Sequence, residues 1–436
     1  MDAIDAKRKF AIEWLGPGEN LMRGQQPDVN LTPGITKIFV GRQPICNKQL
    51  EVVAYELLFR SSEANYADFK DENCATSQII VNAFIDIGLD RIVNDKNAYI
   101  NITHDIIMDG HLTEFDERRL GLEILEGVPV DDELVDAVRS LSQRGHTILL
   151  DDFIFHEDLI PLVEIADIIK IDVLQLDNEA IEEHVAILRK HDVELLAEKV
   201  EGPEMFEFCK NLGFDYFQGY FFCKPKVICG KRIPEGRLAI VQLLAKLQDP
   251  KTEFSDLEGF ISKDVSMSYR LLRIINTAQY GLNRRVDSIK EALVILGFRA
   301  IRNWISLLSM SNIDGKPHEL MVVAMVRGRM CELLAQKTGR RDHDSFFTVG
   351  LLSVLDALLD QPMDRVLKSL PISKEINTAL LDHVGPLGEA LTCALAYERG
   401  DWDKLVFDRV RRDSYTKIYL DSVRWADDVG EELKAA

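Results

Sequence analysis

TILLDDFIFHEDLIPLVEIADIIKID, residues 147–172, contains two short apolar runs, TILLDDF and ADIIKID, separated by a stretch of mixed polar and apolar residues. Apolar runs of this length with polar ends read as strands buried on both faces, and a connection long enough for a helix makes them a βα unit. The first run ends on Asp151 and Asp152. Two adjacent carboxylates at a strand end repel each other unless a cation lies beside them.

The same alternation extends in both directions. Strands are expected at TKIFVGRQPI (36–45), EVVAYELLF (51–59), AYINIT (98–103), LGLEILE (120–126), TILLDDF (147–153), ADIIKID (166–172), VELLAEKV (193–200) and DYFQGYFF (215–222). Helical stretches lie between them, including CATSQIIVNAFIDIGLDRIV (74–93) and DDELVDAVRSLSQRG (131–145), the second with Gly145 placed to end its helix. Seven or eight such units within residues 37–226 point to a closed TIM-like (β/α) barrel, with an open doubly wound sheet as the alternative.

After KPKVICGKRIPEG the strand-like runs stop and helical periodicity takes over. In SMSYRLLRIINTAQYGL, Met267, Leu271, Leu272 and Ile275 fall on one face, and SIKEALVILG has a capping box, Ser288 and Glu291, and a stop at Gly297. The chain is therefore read as α/β plus all-α: an extension over 1–36, a barrel over 37–226 and a helical domain over 227–436, with a linker near 226–237. Tyr280, Gly281 and Leu282 mark a turn that presents an aromatic ring, to a partner or to the core.

A net charge of −20 with no basic block argues against a broad nucleic-acid surface, and hence against a nuclease acting on long substrates. No signal peptide and no membrane span are expected, and seven scattered cysteines without a CxxC pair fit reduced thiols in the cytoplasm.

In a parallel barrel the loops at the carboxyl ends of the strands converge on one mouth. Those ends carry Glu56, Asn101, Glu123, Asp151 with Asp152, Lys170, Glu198 and Gln218. One such residue is ordinarily a solvated strand end, but seven strands delivering one each is a site. Carboxylates and an amide oxygen without clustered His or Cys favour a hard cation, Mg²⁺ or Mn²⁺, and a pair of such ions suits phosphodiester hydrolysis. Lys170 is the cation of the mouth, holding a water or paired with Asp172 or another carboxylate; Arg60 suits a bidentate grip on phosphate, or a surface ion pair.

The ordered series QPI, ELLFR, INIT, LEILE, DDF, KID, AEKVE and QGYFFCKP resembles the motifs of EAL domains, phosphodiesterases of bacterial cyclic di-GMP. The resemblance implies a two-metal centre in which Glu56, Asn101, Glu123 and Asp151 bind the first ion and Asp152 the second. Glu198 is then a ligand or the base, Lys170 positions the water, Gln43, Arg60 and Gln218 lie on the substrate side, and Glu126 braces the loop after Asp152. It also implies a homodimer through the barrel. The chain departs from the family at Leu57, where alanine usually stands, in DDFIFHEDLIPL, which replaces a glycine-containing loop, and at Lys199, which stands where the family has glycine.

The helical part is similar to HDOD domains, output modules related to HD phosphohydrolases. GLLSVLDALL has Ser353 and Val354 where the active enzymes carry a His-Asp pair, so this half is read as a non-catalytic surface for a protein partner. His318, His343 and His383 read as lone histidines rather than as a metal set. Two functions follow: hydrolysis of cyclic di-GMP to linear pGpG, or a catalytically silent scaffold that binds the nucleotide or a protein.

Overall fold

The computed structural model describes residues 38–61, 89–109, 119–125, 130–151, 153, 154 and 156–223, and in the helical half 235–249, 251–253, 256, 257, 261, 265–276, 286, 288–311, 313 and 316–434. The expected extension over 1–36, most of the linker, Glu126, Asp152 and the Tyr280 turn lie outside the described residues, as does the side chain of Arg60.

Eight strands close into a barrel in sequence order: β1 (Ile38–Asn47), β2 (Val52–Ser61), β3 (Asn97–Ile102), β4 (Leu120–Ile124), β5 (Thr147–Leu150), β6 (Ile168–Asp172), β7 (Glu194–Glu198) and β8 (Tyr216–Gln218). The open-sheet alternative is thereby ruled out. β4 and β6 are buried at every position, as strands covered on both faces must be. One feature differs from the all-parallel expectation: β1 runs antiparallel to both β2 and β8. The short turn after Asn47, closed by Leu50 donating to the Asn47 carbonyl at 3.0 Å, leaves no room for a crossover and forces a hairpin.

The helices obey their local signals. Asp131 caps the helix Asp132–Gln143 by accepting from the Leu134 amide at 2.8 Å, Leu134, Val135, Val138 and Leu141 form its buried face, and Gly145 follows at φ 103°. Ser288 Oγ likewise accepts from Glu291 N at 3.1 Å, and the helical run Ile289–Ser311 breaks at Gly297, with φ 81° and ψ 164°. This run is long and apolar enough to cross a membrane by composition alone, but it is broken and over half buried among its neighbours, as a core helix is.

Period two organises the barrel interior. Ile45, Ala54, Tyr99, Leu149, Ile168 and Leu196 form one apolar cluster, with Tyr216 packed against it. Gly121 makes room for it, since a Cβ there would lie 2.3 Å from the Tyr99 ring and 2.9 Å from Leu149. Two positions along each strand from these residues stand Gln43, Glu56, Asn101, Glu123, Asp151, Lys170, Glu198 and Gln218. The interior is thus a packed floor with a polar layer above it. Just past β8, Gly219 has φ 140°, and a Cβ there would sit 2.2 Å from the Val200 carbonyl oxygen. Gly219→Ala is expected to cost at least about 2 kcal/mol, read as a lower denaturation midpoint. An unchanged midpoint would show that the strand end can give way.

The helical half packs on the outside of β1 and β2, and its core is continuous with that of the barrel. Phe39 stacks on Trp402 with centroids 5.2 Å apart. The buried Arg42 guanidinium pairs with Asp427 of the C-terminal helix (Arg412–Lys434) at 3.1 and 3.3 Å, donates to the Ile92 carbonyl at 2.6 Å and lies 4.3 Å above the Tyr55 ring. Tyr55 in turn donates to Glu319 at 3.2 Å.

Candidate active site

At the centre of the polar layer is the ammonium of Lys170, fully buried. It lies 2.8 Å from Asp151 Oδ1, 2.9 Å from Glu123 Oε2, 3.4 Å from Glu56 Oε2 and 3.9 Å from Glu198 Oε1. Five of the strand-end residues read from the sequence therefore meet at one point. The cation against Asp151 is this lysine, and Asp172, offered above as its partner, pairs instead with Lys199 at 2.6 Å.

The amides complete the layer. Asn101 donates to Glu56 Oε1 at 3.1 Å, and Gln218 donates both to Glu56 Oε2 and, at 3.0 Å, to Gln43 Oε1. The strand registers set these meetings, pairing Gln43 with Glu56 and Asn101 with Glu123. Asp151 is held by its amide donating to the Ile124 carbonyl at 3.0 Å, and Phe153, buried, donates to the Lys170 carbonyl at 3.1 Å. The loop that departs from the family therefore leaves from a fixed point. Lys199 has φ 57°, the left-handed conformation that glycine takes freely, so the turn survives the exchange and its Nζ ties β7 to Asp172.

The electrostatics are those of crowded like charges. Burial raises the Glu123 carboxyl well above the usual range, and Glu56 and Asp151 push the same way against Lys170. Burial likewise raises Glu198 to about 7, with Asp151 and Glu56 adding to the rise and Lys170 opposing it. For Glu56, burial also acts upward, but Lys170, Gln218 and Asn101 outweigh it and the net shift is down. Lys170 itself stays charged: burial opposes this, and the four carboxylates overcome it.

One ammonium does not balance four carboxylates, and several oxygens are left over. Asn101 Oδ1, Glu123 Oε1, Glu198 Oε2 and Gln218 Oε1 are buried without a hydrogen-bond donor among the described residues. Such orphaned acceptors are costly unless a cation completes them. An all-oxygen donor set of this kind fits a hard divalent ion. The HD position in the other half fits none: Ser353 Oγ donates to the Gly350 carbonyl at 2.7 Å and accepts from Arg327, which is itself locked to Glu398 at 2.7 and 2.8 Å. His383 caps a helix at φ 55°, whereas His343 has company that the sequence did not disclose, since its ligand atom and those of Glu332 and Asp344 lie within 4.8 Å of one another.

The EAL domain model matches residues 100–225 and the HDOD domain model residues 233–361. A Vibrio cholerae protein described as cyclic di-GMP phosphodiesterase CdgJ is 32% identical over 406 residues, covering 90% of this chain and 93% of that protein. The chain belongs to the EAL–HDOD family. YuxH of Bacillus subtilis, an uncharacterized protein, is 32% identical over 403 residues, covering 89% of this chain and 98% of YuxH. Among solved structures, the Bacillus subtilis YkuI protein, with an EAL domain, in complex with c-di-GMP and calcium, is 18% identical and covers 62% of this chain and 76% of that one, with a TM-score of 0.37. Gln43 and Glu56 precede the span matched by the EAL model; β2–β3 pairing brings Glu56 to Asn101, and barrel closure brings both to Gln218.

The raised carboxyls give this EAL–HDOD protein a testable pH dependence. A carboxyl whose folded pKa exceeds its unfolded value contributes stability at low pH that is lost as pH rises through the folded value. For Glu198 the window runs from about 4.5 to about 7, worth up to about 3 kcal/mol. Glu56, shifted down, acts only at the acid end. Without metal, the site is expected to destabilise the chain progressively from pH 5 to pH 8. Mn²⁺ is expected to raise the melting temperature little at pH 5.5 and most at pH 8, and a shift independent of pH would contradict this.

Proposed function

We propose that the chain hydrolyses cyclic di-GMP to linear pGpG with Mg²⁺ or Mn²⁺ bound at the barrel mouth. The observation that carries this reading is the set of buried, donor-less oxygens around a carboxylate cluster in a chain of the EAL–HDOD family. Glu56, Asn101, Glu123 and Asp151 would hold one ion and Asp152 would help to hold a second, with Glu198 either a ligand or the base. Bound there, divalent ions lower the pKa of water and stabilise charge developing on phosphorus.

The chain's own residues supply the remainder. Where it does not ligate an ion, Glu198, pushed up to about 7 by burial, is suited to accept a proton from water near neutral pH. Lys170 contributes a fixed positive charge inside a water-poor layer. Gln218 and Gln43 hold Glu56 in place, and the burial of Glu56 and Glu123 keeps bulk water from screening the cluster. The helical half, with Ser353 and Val354 in place of a metal dyad, is proposed to dock a protein partner without catalysis.

The test is incubation of the full chain with cyclic di-GMP and Mg²⁺ or Mn²⁺, with chromatographic identification of the product. Metal-dependent pGpG is the expected result. Binding of cyclic di-GMP by calorimetry with no product under either metal would replace this reading with that of a receptor.

A further inference from the structure

β1 and β8 close the barrel over a short seam, pairing at Ile45 with Gln218, Cys46 with Phe217 and Asn47 with Tyr216. Above that seam the only described link between the two strands at the level of the site is Gln218 donating to Gln43 at 3.0 Å, and the same Gln218 amide holds Glu56. The chain on either side of this link, a backbone carbonyl of β1 and a side chain just past β8, is gripped from outside by two consecutive residues of the helical half. Tyr397, fully buried, donates its hydroxyl to the Val40 carbonyl of β1 at 3.1 Å. The carbonyl of Glu398 accepts the hydroxyl of Tyr220, two residues beyond Gln218, at 2.7 Å.

Both grips are backed by rigid partners. The Glu398 carboxylate is clamped by Arg327 at 2.7 and 2.8 Å, and the Tyr397 ring stacks on Tyr419 at 4.5 Å. The Tyr419 hydroxyl accepts from the Arg42 amide at 3.4 Å, one residue before Gln43. On the barrel side, the Val200 amide donates to the Gln218 carbonyl at 2.9 Å and Phe221 N to the Val200 carbonyl at 3.1 Å, so a shift of Tyr220 is transmitted to Gln218.

We propose that the end of the helix Gly385–Glu398 is a positioning element of the metal site: Tyr397 and Glu398, with Tyr220, hold the β8–β1 seam so that Gln43 and Gln218 meet and keep Glu56 aimed into the cluster. A group that orients a metal ligand typically tunes metal affinity, activity or both. The helical half is on this account a working part of the centre, and a partner bound to it reaches the site through two hydroxyls. The proposal rests on the reading of the cluster as a metal site.

The test is the full chain carrying Tyr220→Phe and Tyr397→Phe together, with Tyr216→Phe as control. The Tyr216 ring packs against the barrel floor and its hydroxyl donates to Glu194 at 2.9 Å at the amino ends of the strands, so Tyr216→Phe loses a hydroxyl contact on β8 away from the seam with Tyr397 and Glu398. Mn²⁺ affinity by calorimetry is expected to fall about tenfold in the double variant and to be unchanged in the control. Amide exchange at Phe217, Gln218 and Gly219 is expected to accelerate in the double variant alone. Should the double variant not fold, Tyr220→Phe alone carries the test, with a smaller loss of the same kind. A folded variant with native Mn²⁺ affinity and native exchange, or equal losses in Tyr216→Phe, would overturn the proposal. Native Mn²⁺ binding without hydrolysis in the unmodified chain would overturn the phosphodiesterase reading and leave this one standing.

Discussion

Glu56→Gln is expected to lower kcat/KM for cyclic di-GMP by about 10³-fold or more, corresponding to about 4 kcal/mol of lost transition-state stabilisation. The substitution keeps the side-chain shape but removes a carboxylate that Lys170, Gln218 and Asn101 hold in its charged form, and it presents an amide where Asn101 and Gln218 both donate. One of those donors then faces a donor. The fold should survive at reduced stability, because the apolar floor of the barrel does not depend on this carboxylate, while its favourable contacts with Lys170, Asn101 and Gln218 are weakened. A native circular dichroism spectrum with a melting curve below the parent's, and residual activity at or below a thousandth, are the expected pair of results. Full activity in Glu56→Gln would mean that the cluster is not the reacting centre.

Asp427→Ala is expected to destabilise the chain by about 3–5 kcal/mol, because it strands a buried guanidinium. Once its carboxylate is gone, Arg42 keeps the Ile92 carbonyl, the Tyr55 face and the more distant charge of Glu319, and its side chain is 4% exposed. The paired change Arg42→Met with Asp427→Leu should recover most of the loss, since an ion pair replaced by packed apolar groups is often neutral. Chemical denaturation measures both. A loss below about 1 kcal/mol in Asp427→Ala would show that water reaches Arg42 and that the two halves are less firmly joined than described.

Much of the barrel site was legible because a strand has a period of two. Once Leu149, Ile168 and Leu196 are read as interior, Asp151, Lys170 and Glu198 must share that face two residues later, and no knowledge of loops is needed. Gln43 was legible only by resemblance, because β1 is antiparallel and brings it to the site from within the strand rather than from a carboxyl end. Lys170 and Asp172 share the motif KID, yet the lysine turns to four carboxylates on other strands while the aspartate takes Lys199, a choice made by the barrel and not by neighbours in the chain. The joining of the halves left no local signal at all. Arg42 and Asp427 are 385 positions apart, and neither sits in a pattern that names the other. Nothing in the sequence sets Tyr397 and Tyr220 apart; it is the structure that shows a hydroxyl of each crossing between the halves.

The measurement that bears most directly on the central claim is anomalous diffraction at the manganese edge from crystals of the full chain grown with Mn²⁺ and cyclic di-GMP. The account predicts manganese in contact with Glu56, Asn101, Glu123 and Asp151, with the oxygens that lack donors turned onto it. No manganese at the barrel mouth, with Lys170 still bonded to Glu123 and Asp151 and the nucleotide bound elsewhere or not at all, would contradict it.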